Sequence, residues 1–143
     1  MLLAGVLLAV CLLVVAARLL ARSRLNRARA IRSQEIWHAL GATPDGRPAV
    51  VAFSTPSCAA CHTAQRPALA QLESRAGGAV RVIEVDAAER PQVARVFGIL
   101  TVPTTAILDT GGRVTAMNNG FATTDRLATQ LGLEVPSEQR VTR

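Results

Sequence analysis

Ala49-Val50-Val51-Ala52-Phe53 is an unbroken apolar run, followed by Ser54-Thr55-Pro56-Ser57 and then by Cys58-Ala59-Ala60-Cys61. No other stretch limits the possible folds as much. A short apolar run rich in β-branched residues suits a strand covered on both faces. The proline-containing tetrapeptide ends that strand. A helix is expected to start near Cys58 and continue through Leu72 or Arg75, kinked at Pro67 and stopped by Gly77-Gly78. Residues 80–85 read as a second buried strand, and 91–97 as a helix opened by Pro91 and closed by Gly98. Residues 104–108 and 113–117 read as two strands joined by the hairpin signal Asp109-Thr110-Gly111-Gly112. Thr123 or Thr124 then caps a last helix through Leu131. The order predicts an α/β domain over residues 34–133, a mixed central sheet flanked by helices, followed by a loose polar tail, 134–143.

Upstream lies a segment of different character. Residues 1–17 are apolar apart from glycine, and with Arg18 snorkelling the run reaches Ala21. About 20 such residues, as a helix, span a bilayer core of ~30 Å. A cleaved signal peptide would carry positive charge ahead of the run, and only the α-amino group is there. Ala16-Ala17-Arg18 makes a poor cleavage site, and Leu8-Ala9-Val10-Cys11 has bulky Val10 where a lipoprotein box needs a small residue. Residues 1–21 are therefore expected to be an uncleaved transmembrane anchor in contact with lipid. Cys11 within it reads as a small hydrophobe.

All sixteen basic residues are arginine, and Arg18, Arg22, Arg24, Arg27, Arg29 and Arg32 directly follow the apolar run or end it. From Ser33 onward ten arginines balance ten acids. The net charge of +6 is thus a local block. That argues against nucleic-acid binding, which needs a basic patch on the folded domain. Positive residues beside a membrane helix tend to stay in the cytoplasm, so the sequence predicts a single-pass protein with its main domain cytoplasmic. Residues 22–33 form an arginine-rich linker or helix extension. Ser33 is expected to cap a short helix through Leu40, with Glu35 in its first turn. Trp37 fits either the domain core or the membrane surface.

The spacing of Cys58 and Cys61 has a chemical reason. A cysteine at a helix N-terminus meets free backbone N–H groups and the positive end of the dipole, which favour its thiolate. A second cysteine one turn later is placed to attack a mixed disulfide formed by the first. Cys58 is the candidate attacker and Cys61 the candidate resolver. His62 is a possible modulator, through proton transfer or positive charge, or simply a solvent-facing helix residue.

With this block in place, residues 49–131 resemble the thioredoxin family. Val82-Ile83-Glu84-Val85-Asp86 is similar to its next strand. Val96-Phe97-Gly98-Ile99 leading to Thr101-Val102-Pro103-Thr104 is similar to the approach to its cis-proline loop, and Gly111-Gly112-Arg113-Val114 with Gly120 to its hairpin. The resemblance implies a thiol–disulfide oxidoreductase without cofactor or metal, acting on protein thiols and disulfides. It implies a cis Pro103, with the Val102 backbone beside Cys58 where an extended substrate segment pairs by β-augmentation. The departures are Ser57 in place of a tryptophan, Ala59-Ala60 in place of Gly-Pro, Ala52 in place of a buried acid, Val82 in place of that acid's lysine neighbour, and Pro67 one residue late. Without the buried pair, proton transfer from the resolving thiol should be slow. The alternative is a non-catalytic thioredoxin-fold subunit or adaptor of a membrane protein complex.

Two other chemistries share these residues. Cys58-Ala59-Ala60-Cys61-His62 also spells the haem c attachment motif, for which His38 and Met117 are the candidate axial partners. Attachment outside the cytoplasm opposes the expected topology, and strands on both sides of the motif do not suit a helical cytochrome. Zinc would find at most Cys58, Cys61 and His62, one short of a structural set.

Overall fold

The computed structural model describes residues 2–133, with side chains described for 10–20 and 32–133; the expected tail, 134–143, lies outside them. Helix α1 (Leu2–Leu40) is followed by strand β1 (Ala49–Ser54), a π-helical turn (Cys61–Gln65) and helix α2 (Arg66–Ala76). Strand β2 (Arg81–Asp86), helix α3 (Pro91–Phe97), strands β3 (Thr104–Leu108) and β4 (Val114–Asn119) and helix α4 (Thr124–Gln130) complete the domain. The sheet order is β2-β1-β3-β4. β1 runs parallel to β2 and antiparallel to β3, and β4 returns antiparallel to β3. This is the mixed α/β sheet that the order of elements implies.

Strand alternation explains why β1 is apolar at nearly every position. Val51 and Phe53 face α1 and α3, in a core with Ile36, Trp37, Val93 and Phe97. Val50 and Ala52 face α2 and α4, in a second core with Leu69, Leu72, Ile107 and Leu127. Each face must be apolar because each is covered. β2 departs from the expected buried strand. It sits at the sheet edge, and Val85 is its one buried residue. An edge strand has a neighbour on one side only, so its polar Arg81 and Glu84 reach solvent.

Helix α1 departs as well. Ser33 does not start a new helix, because α1 is continuous to Leu40. Its hydroxyl donates instead to the Gly111 carbonyl at 2.6 Å. Four residues on, Trp37 is 4% exposed and belongs to the core, with the Arg81 guanidinium 5.8 Å from its ring centre. The indole lies against Gly112, where a Cβ would fall 2.0 Å from Nε1. Gly112 also holds φ at 75°, so glycine is required there twice over. Asp109 shapes this hairpin loop by accepting from the Gly111 and Arg113 backbone N–H groups and from the Arg113 side chain. Burial pushes the Asp109 carboxyl up, but the bonds from Arg113 prevail and hold it below the usual carboxylate value.

Thr123 is the cap of α4, accepting from the Arg126 N–H at 3.2 Å. Thr124 is buried against α2, its hydroxyl within reach of the Ala68 carbonyl and the Gln71 side chain.

Among the described residues no helix is long and apolar enough to cross a membrane. The expected anchor, 1–21, extends in part beyond those residues, and Cys11 within it is free and exposed.

Candidate active site

Helical structure begins at Ala59, just after Cys58. The Cys58 N–H is held by the Thr55 carbonyl at 3.1 Å, which closes the turn carrying Pro56 and Ser57. The Cys61 N–H then points back at the Cys58 sulfur, 3.2 Å away. This is a donor of the kind that favours a thiolate. The two sulfurs are joined as a disulfide, with Cα atoms 5.3 Å apart. Access differs sharply between them: Cys58 is partly exposed, whereas Cys61 is 4% exposed.

Below Cys61 the helix is not regular. Residues Cys61–Gln65 form a π-helical turn, closed by the Arg66 N–H on the Cys61 carbonyl. The wider turn takes up one extra residue, and α2 then starts with Pro67 in its first turn, where a missing N–H costs least. The sequence predicts a kink at Pro67 within one continuous helix. The late proline is accommodated by the π turn instead.

Gln65, which sequence reasoning did not single out, is buried at the end of that turn. Its amide donates to the Ala122 carbonyl at 3.1 Å and accepts from the Ala122 N–H at 2.9 Å. The turn that carries Cys61 is thereby tied to the loop before α4. No local signal reveals this, since the partners are 57 residues apart.

His62 is exposed, and its Nε2 donates to the Pro56 carbonyl at 3.2 Å. The ring thus lies against the loop before Cys58. The Val102–Pro103 peptide bond is cis. Pro103 is buried, with its carbonyl taken by the Gly120 N–H at 2.8 Å, and Val102 is partly exposed. Val102 borders a surface groove of about 350 Å³ shared with Thr55, Pro91, Ile99 and Leu100, the last 94% exposed. His38 and Met117, the candidate haem ligands, lie on α1 and β4.

A mixed sheet whose parallel strand β1 leads into a helix headed by a disulfide-forming cysteine pair defines a thiol–disulfide exchange domain. The sequence comparison assigns it further. The chain belongs to the thioredoxin family, whose model, described as Thioredoxin, matches residues 34–132. Solved structures share the fold at low identity. A thioredoxin-2 described as a component of malaria parasite protein secretion machinery is 22% identical, with TM-score 0.56 over 60% of this chain and 82% of its own. Chloroplastic thioredoxin z is 21% identical, with TM-score 0.54 over 62% and 78%. A chain from a study of thiol resolution in yeast mitochondrial 1-Cys peroxiredoxin via glutathione/thioredoxin systems is 19% identical, with TM-score 0.57 over 69% and 87%.

Proposed function

We propose that this protein is a membrane-anchored thiol–disulfide oxidoreductase in which Cys58 attacks a partner's disulfide and Cys61 resolves the mixed disulfide. The observation that carries this reading is the asymmetry of the pair: Cys58 is accessible and its sulfur receives the Cys61 N–H, whereas Cys61 is buried. Thiolate character and access together decide which thiol of a pair reacts first. The partner is a protein segment in extended form, laid along the Val102 backbone, and the apolar groove with Leu100 supports side-chain contacts beside it. The apolar run 1–21 and the arginine block after it support a bilayer anchor with the domain in the cytoplasm.

The test is trapping in cells. Cys61→Ser should accumulate mixed disulfides through Cys58, because the release step is lost, and Cys58→Ser should trap few. The reverse pattern would exchange the two roles. A readily formed disulfide with no trapping by either variant would favour the adaptor reading, in which the domain serves a membrane complex without turnover.

A further inference from the structure

A buried thiol must lose its proton before it can act as a nucleophile, and Cys61 has no acid or base beside it on β1, where Ala52 stands. The structure places a carboxylate nearby by another route. Ala52 is in direct register with Glu84 on β2, so both side chains stand on the same face of the sheet. Cys61, Ala52, Gln65, Arg66 and Glu84 line one small cleft of about 10 Å³, roughly the room one water molecule needs. Glu84 is the one carboxylate on it. Because β2 is an edge strand, the side chain is 49% exposed at the cleft mouth, held there by Arg66 at 3.4 Å.

We propose that Glu84 accepts the proton Cys61 gives up, through a water held in this cleft. The proposal rests on the exchange reading above and names the residue that serves its second step. The Cys61 S–H proton passes to the water as the water passes one to the Glu84 carboxylate. The Cys61 thiolate attacks the Cys58 sulfur, the Cys58–Cys61 bond forms, and the bond from Cys58 to the partner breaks. The partner sulfur leaves with the electron pair as a thiolate. The two cysteines are oxidised and the partner's disulfide is reduced. Glu84 then loses its proton to bulk water, which its exposure permits. A sealed carboxylate would need a further relay.

The charged and titratable groups around this path are few. Arg66 of α2 faces Glu84. Asp86, two residues along β2, is engaged by the Ala88 and Glu89 N–H groups. β1 contributes Ala52, Phe53 and Ser54, none of which titrates in this range. His62 is turned to the Pro56 carbonyl.

The test uses the full-length chain in detergent, reduced, with Cys11→Ser to remove the third thiol. Reaction with 5,5′-dithiobis(2-nitrobenzoate) releases one thionitrobenzoate when Cys58 attacks and a second when Cys61 resolves, so the two steps are read separately. Glu84→Gln should leave the first phase unchanged and slow the second about tenfold at neutral pH. That is less than the ~10²–10⁴ of a directly placed base, because a water intervenes. The deficit should close as rising pH lets hydroxide serve. Glu84→Asp should retain part of the rate. Ala52→Asp in the Glu84→Gln background should restore it, and if that double variant does not fold, the Gln and Asp pair decides. A second phase whose pH profile in Glu84→Gln overlays the parent would overturn the proposal. Absence of the first phase in the parent would instead overturn the exchange reading on which it stands.

Discussion

The two faces of the sheet are built on different plans. Toward α1 and α3 the core is filled by large side chains: Phe53 meets Phe97 with ring centres 5.1 Å apart, and Trp37 closes the end against Gly112. Toward α2 and α4 small residues and buried polar groups recur. Ala52, Ala68, Ala122 and Ala128 lie among Gln65, Thr105, Asn118 and Thr124, which are hydrogen-bonded. Apolar packing is non-directional and tolerates no water, whereas hydrogen-bonded ties fix positions while leaving room beside a thiol. The cleft against Cys61 opens on the second face, lined by Ala52, Gln65, Leu69 and Glu84.

Substitutions on the two faces should fail in different ways. Phe53→Ala, on the filled face, should cost about 3–5 kcal/mol of stability, as a large buried aromatic leaves a cavity. Denaturant unfolding would show it, with the exchange rate of the surviving folded fraction little changed. Gln65→Ala, on the hydrogen-bonded face, should cost less, about 2–4 kcal/mol, from stranding the Ala122 N–H and carbonyl. Its signature is local: fast hydrogen exchange at the Ala122 amide and an altered second phase of thiol release. Equal loss of both phases would show that the Gln65 tie does not position Cys61 separately from the rest of the domain.

Asp109 supplies the smallest effect and the finest test of the filled face. Asp109→Asn should cost about 1 kcal/mol at neutral pH, since its bonds to Arg113 are partly exposed. The carboxyl is held below its ordinary value in the folded state. Its contribution is therefore complete above the unfolded pKa of ~3.9 and disappears as pH falls through the lower folded value. Stability curves of parent and variant should converge in acid. A gap that persists well below that window would assign the loss to packing of the loop on Trp37.

The elements written in local pattern were legible in the sequence: β1 from its apolar run, the hairpin from Asp109 to Gly112, α3 between Pro91 and Gly98. So was the cysteine pair, because its chemistry depends on neighbours one turn apart. What was not legible depends on distance in sequence. The Gln65–Ala122 tie and the Ser33–Gly111 bond join residues 57 and 78 positions apart. Ser33 has the chemistry of a cap, but the helix before it did not end, so its hydroxyl found another acceptor. The π turn follows from a proline one residue late, which signalled an irregularity without saying of what kind. Ala52 marked a missing acid, yet Glu84 became visible as its neighbour only when the register of β1 and β2 was known.

The unbroken course of α1 sets a length. Residues 22–33 lie between the end of the apolar run and the part of the helix that packs into the domain. As helix, they rise about 18 Å at ~1.5 Å per residue. A flexible chain of the same length has a similar mean span, roughly 19 Å, but its ends sample every separation from contact to full extension. A stalk and a leash of equal average reach present very different local concentrations of the dithiol. On the membrane-anchored reading proposed above, a leash would let it sweep the bilayer surface, while a stalk would confine it to a layer held off from that surface. On the same reading, partners whose disulfides project into that layer would meet the site at high effective concentration, and those lying flat against lipid would not. On the proposed anchored reading, breaking the helix with a short Gly-Ser insertion after Arg29 would change which partners are reached while leaving every residue of the active site in place.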